Sequence, residues 1–190
     1  MGENYIYLVF SKTGTWLARL IRVISQQKYV HTAISFDNDF VKMYSFGRIH
    51  PDNPFYGGFV EENLYAGVYQ RFSGCECLIY RVRVTPEQYC YLQQLVEDFR
   101  QKKDRLRYNF LGLFGVLLNR PIKRENHYFC SQFVAQLLSE SKVYNCGKDP
   151  GLTRTSDFFT MENKDVFWEG SISDYLQSAS KTEFHGLQKC

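Results

Sequence analysis

The side chains best suited to covalent chemistry are six cysteines, at 75, 77, 90, 130, 146 and 190, and four histidines, at 31, 50, 127 and 185. One cysteine stands where a nucleophile belongs. Cys130 lies in Tyr128-Phe129-Cys130-Ser131-Gln132-Phe133-Val134, and Phe129, Phe133, Val134, Leu137 and Leu138 recur at helical spacing from there on. The pattern predicts a helix from about Tyr128, with Cys130 in its first turn. There the unpaired backbone N–H groups and the helix dipole favour a thiolate, and the same groups can hold an oxyanion. A lone cysteine in a reduced protein is more often a packing residue, so the reading needs a base.

His127 lies three residues before Cys130 on a solvated approach, His50 sits beside Pro51 in a loop, and His185 belongs to a polar tail. His31 differs. In Val30 to Phe36, alternation places Val30, Thr32, Ile34 and Phe36 on one face and His31, Ala33 and Ser35 on the other. A face of small residues lets a helix pack closely, with the imidazole projecting toward it. Without Cys130, the same pattern would read as a satisfied core histidine.

The elements that must position this pair are legible in outline. Tyr5 to Phe10 and Leu78 to Val84 alternate as strands. Thr13-Gly14-Thr15 caps a helix whose apolar side is Trp16, Leu17, Leu20, Ile21 and Ile24. Tyr29 to Phe36 and Phe40 to Phe46 are strands joined by an Asp37-Asn38-Asp39 turn. Gly47 to Gly58 is a loop. Thr85-Pro86-Glu87-Gln88 starts a helix reaching about Lys103, with Thr as N-cap, Pro at N1 and Gln at N3. The helix after Tyr128 is apolar around much of its circumference and belongs at the centre of the domain. After about Asp157 the pattern weakens.

The sum is one α+β domain over residues 1–190, with a weakly structured tail after about 178. A chain of 190 residues needs no disulfide or metal staple, and 44% hydrophobic and 17% aromatic content excludes disorder. A net charge of +3 is too mild to make nucleic acid the default partner. The N-terminus has no basic n-region or apolar h-region, and no Ser or Thr stands where a myristoylation motif wants one. Cytoplasm is the expected compartment.

With its order and spacing, Tyr29-Val30-His31-Thr32-Ala33-Ile34 followed by Phe129-Cys130-Ser131-Gln132-Phe133-Val134 resembles the circularly permuted papain-like fold. This is the branch of the NlpC-type cysteine peptidase superfamily that includes YiiX-like proteins and, more distantly, lecithin retinol acyltransferase. In papain the cysteine comes first; here His31 precedes it, as the permuted order requires. The resemblance implies a central helix with the nucleophile Cys130 at its start, packed on a small antiparallel sheet or barrel that presents the base His31. It also implies a third polar residue on the strand after the histidine, orienting the imidazole. A three-residue turn sets Ser45 opposite His31, and a two-residue turn sets Phe46 there. Ser45 is the expected orienter, with Glu61 or Glu62 as alternatives.

Other signals are weaker. Cys75-Glu76-Cys77 has no second Cys or His pair at matching spacing, so neither a metal nor a cofactor is expected. The basic run Arg100 to Arg107 reads as a solvated face. The apolar run Phe110 to Leu118 lines an acyl-binding groove, touches a membrane surface or, as is commoner, joins the core. It is about half the ~20 residues needed to span a bilayer. The expected activity is that of a cysteine hydrolase, an amidase or peptidase working through an acyl-enzyme on cell-wall-type or other peptide amides. A lipid acyltransferase or thioesterase-like enzyme and a non-catalytic binding module of the same fold are the alternatives.

Overall fold

The computed structural model describes residues 3–12, 27–49, 56–71 and 74–178. The helix expected over 13–24, His50 with the loop residues 51–55, and the tail with His185 and Cys190 lie outside the described residues. Six strands form one sheet: β1 (Asn4–Lys12), β2 (His31–Ser35), β3 (Met43–Arg48), β4 (Gly57–Glu62), β5 (Glu76–Val84) and β8 (Lys164–Ser171). Their order is β4-β3-β2-β1-β5-β8, and each neighbouring pair is antiparallel. Helices that bear on the site are α1 (Val68–Arg71), α2 (Pro86–Gln101), α3 (Phe110–Leu117) and α4 (Cys130–Glu140). Two short strands, β6 (Arg107–Tyr108) and β7 (His127–Tyr128), pair in parallel apart from the sheet. This is a mixed α+β fold.

Both faces of the sheet are covered. Along β1, Ile6, Leu8 and Phe10 face one core and Tyr7 and Val9 the other, as period-two alternation requires. Helices α2 and α4 pack on the first face with Leu92, Val96, Phe133, Val134, Leu137 and Leu138. Leu64, Tyr69, Ile172 and Tyr175 close the second. Helix α2 begins as its sequence predicts: the Thr85 hydroxyl accepts from the Gln88 amide at 3.2 Å, and the Gln88 side chain accepts from the Thr85 amide at 3.0 Å.

Two expectations need correction. The helix meets the large-residue face of β2, through Ile34, whereas Ala33 packs into the second core. The connection between β2 and β3 is also longer than an Asp37–Asp39 turn, because Ser35 pairs with Met43 and Ile34 with Tyr44. Phe40 is the reason. Fully buried, it packs edge-on against Tyr7, Phe167 and Tyr175, and its backbone takes a left-handed φ of 53° to get there. A residue so anchored cannot continue a strand.

Phe133 joins the elements around the candidate site. Its ring lies 5.0 Å from Phe99, 5.3 Å from Phe46 and 5.8 Å from Phe59, centre to centre, tying α4 to α2, β3 and β4. Phe133→Ala should therefore lower unfolding stability by about 3–5 kcal/mol, the usual cost of emptying a packed aromatic site. Urea denaturation checks this, and a loss below about 1 kcal/mol would mean that the four elements do not share one core.

Candidate functional site

Cys130 is the first residue of α4, and Phe129 stands at its N-cap. A phenylalanine has no acceptor to offer the first-turn N–H groups, and no side chain caps this helix. Ordinary N-caps are Ser, Thr, Asp or Asn, worth about 1 kcal/mol over an apolar residue. The helix forgoes that stabilisation, and its N–H groups stay available at the residue where a nucleophile would develop charge. The Cys130 Sγ lies 3.9 Å from the Val30 carbonyl oxygen, at the end of the sheet where β2 begins.

The next residue, His31, opens β2. Its Nε2 donates to Glu62, with 2.9 Å to Oε1 and 3.1 Å to Oε2. Glu62 closes β4, and Tyr69 on α1 donates its hydroxyl to Glu62 Oε2 at 2.8 Å. Since that proton is committed, Ser11 supplies the hydrogen of the 3.4 Å contact between its Oγ and the Tyr69 oxygen. Gly47 makes the arrangement fit. Continued, the β2–β3 register sets it opposite His31, and a Cβ there would touch Glu62 Oε1 at 3.4 Å and His31 Cε1 at 3.9 Å. A longer side chain would come between the imidazole and the carboxylate.

Burial works to lower the His31 pKa, but the Glu62 charge and the hydrogen bonds with Cys130 and Glu62 together raise it well above the ordinary imidazole value. With Nε2 held by Glu62, Nδ1 is the nitrogen left for the thiol. Burial works to raise the Glu62 pKa, and the charge and hydrogen bond of His31, with the Tyr69 hydroxyl, bring it below the usual carboxylate value. The Tyr69 phenol is pushed well up by burial and by the Glu62 charge. These three groups therefore favour an imidazolium, a carboxylate and a neutral phenol at the pH where most proteins work.

Of the residues expected at the site, the structure brings His31 and Cys130 together and leaves Ser45 out. Ser45 is fully buried, and its hydroxyl donates to the Thr32 carbonyl at 2.7 Å. The orienting position belongs to Glu62, an alternative in the sequence reading. Glu61 pairs opposite Tyr44, one residue out of phase with Glu62 and so on the other face of the sheet. Among the described residues there is no cluster of three or more His, Cys, Asp or Glu able to hold a metal ion.

Tyr69, Ser11 and Tyr108 escaped the sequence reading. Burial, and then the charge on Cys130, push the Tyr108 phenol well above its ordinary value, so it keeps its proton beside the thiol. Two glycines admit this residue's chain segment. A Cβ at Gly57 would lie 2.8 Å from the Tyr108 Cβ, and one at Gly58 would lie 2.7 Å from the Leu106 carbonyl oxygen. The Gly57-Gly58 pair was the visible signal.

The fold has a counterpart among solved structures. The chain is similar to the crystal structure of metalloprotein yiiX from Escherichia coli O157:H7 (DUF1105), with 13% identity, a TM-score of 0.58, and coverage of 87% of this chain and 97% of that one. The likeness shows a YiiX-like fold. No protein-family model and no curated protein matches the sequence.

The His31–Glu62 contact is open to a direct pH measurement. Followed by NMR, His31 should titrate above the ordinary value of ~6.5, Glu62→Gln should bring it down, and Ser45→Ala should leave it in place. A His31 titration unmoved by Glu62→Gln would disprove the pairing. The raised pKa also stabilises the fold, fully below about pH 6.5 and progressively less as pH rises through the folded value.

Proposed function

We propose that the protein is a cysteine hydrolase of the permuted papain-like, NlpC-type kind, acting on an amide or related acyl bond. The observation that carries this reading is the run Glu62–His31–Cys130, in which a carboxylate holds one imidazole nitrogen and the other is left to a thiol at a helix N-terminus. The YiiX-like backbone supports it, since a cysteine-bearing helix on an antiparallel sheet is the framework such a site needs.

In this mechanism the proton of Cys130 has already passed to His31 Nδ1, giving the imidazolium described above, and the thiolate attacks the substrate carbonyl. Glu62 balances the imidazolium and fixes the ring, the role of the acid in a nucleophile–base–acid triad. The tetrahedral oxyanion is met by the first-turn N–H groups of α4 and by the Tyr108 hydroxyl. The C–N bond breaks as His31 returns its proton to the leaving amine, giving a thioester on Cys130. Water, deprotonated by His31, then releases the acid and restores the thiol. The yiiX structure is described as that of a metalloprotein. On this chain His31 Nε2 and both Glu62 oxygens are engaged with one another, and the steps above use only these side chains.

A second reading, transfer or hydrolysis of lipid acyl chains by the same residues, is favoured by one observation: α3, which begins beside the site, exposes Leu111 and Phe114.

A panel of peptidyl aminomethylcoumarin amides and 4-nitrophenyl esters of short and long acids tests both readings. Cys130→Ala should abolish turnover and His31→Ala should cost about 10²- to 10⁴-fold. Glu62→Gln should cost at least about tenfold, while Ser45→Ala leaves kcat/KM within about twofold. Turnover surviving in Cys130→Ala would end the proposal, and activity confined to long-chain esters would move it to lipid substrates.

A further inference from the structure

We propose that helix α3 and the loop after it form a docking surface for an anionic bilayer. The helix is amphipathic the wrong way round for a protein surface. Its buried residues are Gly112 and Gly115, while Leu111, Phe114, Leu117 and the following Leu118 point outward, Phe114 at 57% and Leu118 at 71% exposure. Ile122 adds to the same exposed set. An ordinary surface helix buries its large residues and exposes its small ones. Of the three readings the sequence leaves open for this run, the commoner one, core, is not what the structure shows.

The inversion is built in. A Cβ at Gly112 would fall 2.5 Å from Asn109 Nδ2 and 3.1 Å from a Phe129 ring carbon, and one at Gly115 would fall 2.5 Å from the Arg120 carbonyl oxygen. Only glycines fit the inner face at this distance. Asn109, itself buried, locks the register by accepting from the Gly112 amide at 3.0 Å and donating to the Ile122 carbonyl at 3.2 Å. Rolling the leucines inward would break both bonds and drive side chains into backbone.

Charge selects the occupant. Between Lys102 and Arg124 stand seven basic residues (Lys102, Lys103, Arg105, Arg107, Arg120, Lys123 and Arg124) against the single acid Asp104. The segment is +6 in a chain of +3, so the remainder sums to −3. All seven are exposed. The backbone gathers them around the helix: the Arg120 amide bonds the Gly115 carbonyl, and the Arg107 amide bonds the Asn126 carbonyl, so the return loop and the segment before α3 flank it. An apolar strip with a cationic rim matches the acyl boundary and anionic headgroups of a lipid surface. Lys123 is paired with Asp149 at 2.8 Å, and the other six remain a cationic rim, so two copies joined face to face through this strip would instead bring like charges together. No described helix is long and apolar enough to cross a membrane, so the contact is one of surface seating. The docking does not depend on the cysteine chemistry, although α3 starts next to Tyr108 and would bring Cys130 to the level of the headgroups.

Co-sedimentation of the full chain with vesicles of phosphatidylcholine alone, or mixed with phosphatidylglycerol, tests the proposal. Binding should require phosphatidylglycerol and weaken with added salt. The exposed-site double variant Phe114→Glu/Leu118→Glu should lose binding at least tenfold while keeping the wild-type Tm. Arg120→Glu/Arg124→Glu should lose about fivefold or more for each charge removed. No sedimentation of the wild type on either vesicle would overturn the proposal, as would equal binding by the Phe114/Leu118 variant. A wild-type dimer in solution that this variant splits, without lipid binding, would assign the face to a second copy instead. Vesicle binding is scored independently of turnover, so loss of one leaves the other standing.

Discussion

A carboxylate withdrawn from water must find a cation and hydrogen-bond donors, and the architecture around the site follows from how Glu62 does so. The imidazole of His31 occupies both of its oxygens, and the Tyr69 hydroxyl takes a further lone pair on one of them. With both side chains only 18% exposed, removing one partner would leave the other largely uncompensated. Four strand ends and the short helix α1 therefore converge on one point: β2 brings His31, β4 brings Glu62, β1 brings Ser11 behind Tyr69, and β3 contributes the side-chain-free Gly47. Held on one edge by Glu62, the imidazole presents its other edge to Cys130. The polar network thus points an imidazole at the thiol without any residue of the cysteine's own helix taking part.

The helix that carries Cys130 complements this with an omission. Phe129 gives α4 no side-chain cap, and Phe129 is also the surface against which Gly112 packs α3. One residue thus leaves the first-turn amides available to a reacting oxygen and seats the apolar helix beside the site. Local rules of helix capping and surface polarity are both broken within a few residues of Cys130, and such departures tend to gather at functional positions.

Much of this is legible in the sequence because the signals are local. The Cys130 helix, the Thr85–Gln88 cap and the β1 alternation each depend on residues within a few positions of one another. Ser45 was misplaced because register depends on a turn, and the turn depends on Phe40, whose burial against Phe167 and Tyr175 is invisible to a local reading. A longer connection carries Gly47, not Ser45, to the place opposite His31. Strand β8 escaped notice because it is an edge strand, with Val166 outward and acids and a lysine interspersed, so its alternation is blurred. The inverted helix α3 defeats the ordinary inference that an apolar run is core, since its two glycines are what the core accepts.

The central claim is that Cys130, activated by His31 and Glu62, accepts an acyl group. The most direct measurement mixes the folded protein with 4-nitrophenyl acetate and reads nitrophenol release together with intact mass and peptide mapping. The account predicts a burst of one nitrophenol per chain and a single acetyl group on Cys130, with no burst in Cys130→Ala and a slow one in His31→Ala. Acetyl groups spread over exposed lysines and cysteines, with Cys130 unmodified and no burst, would contradict it.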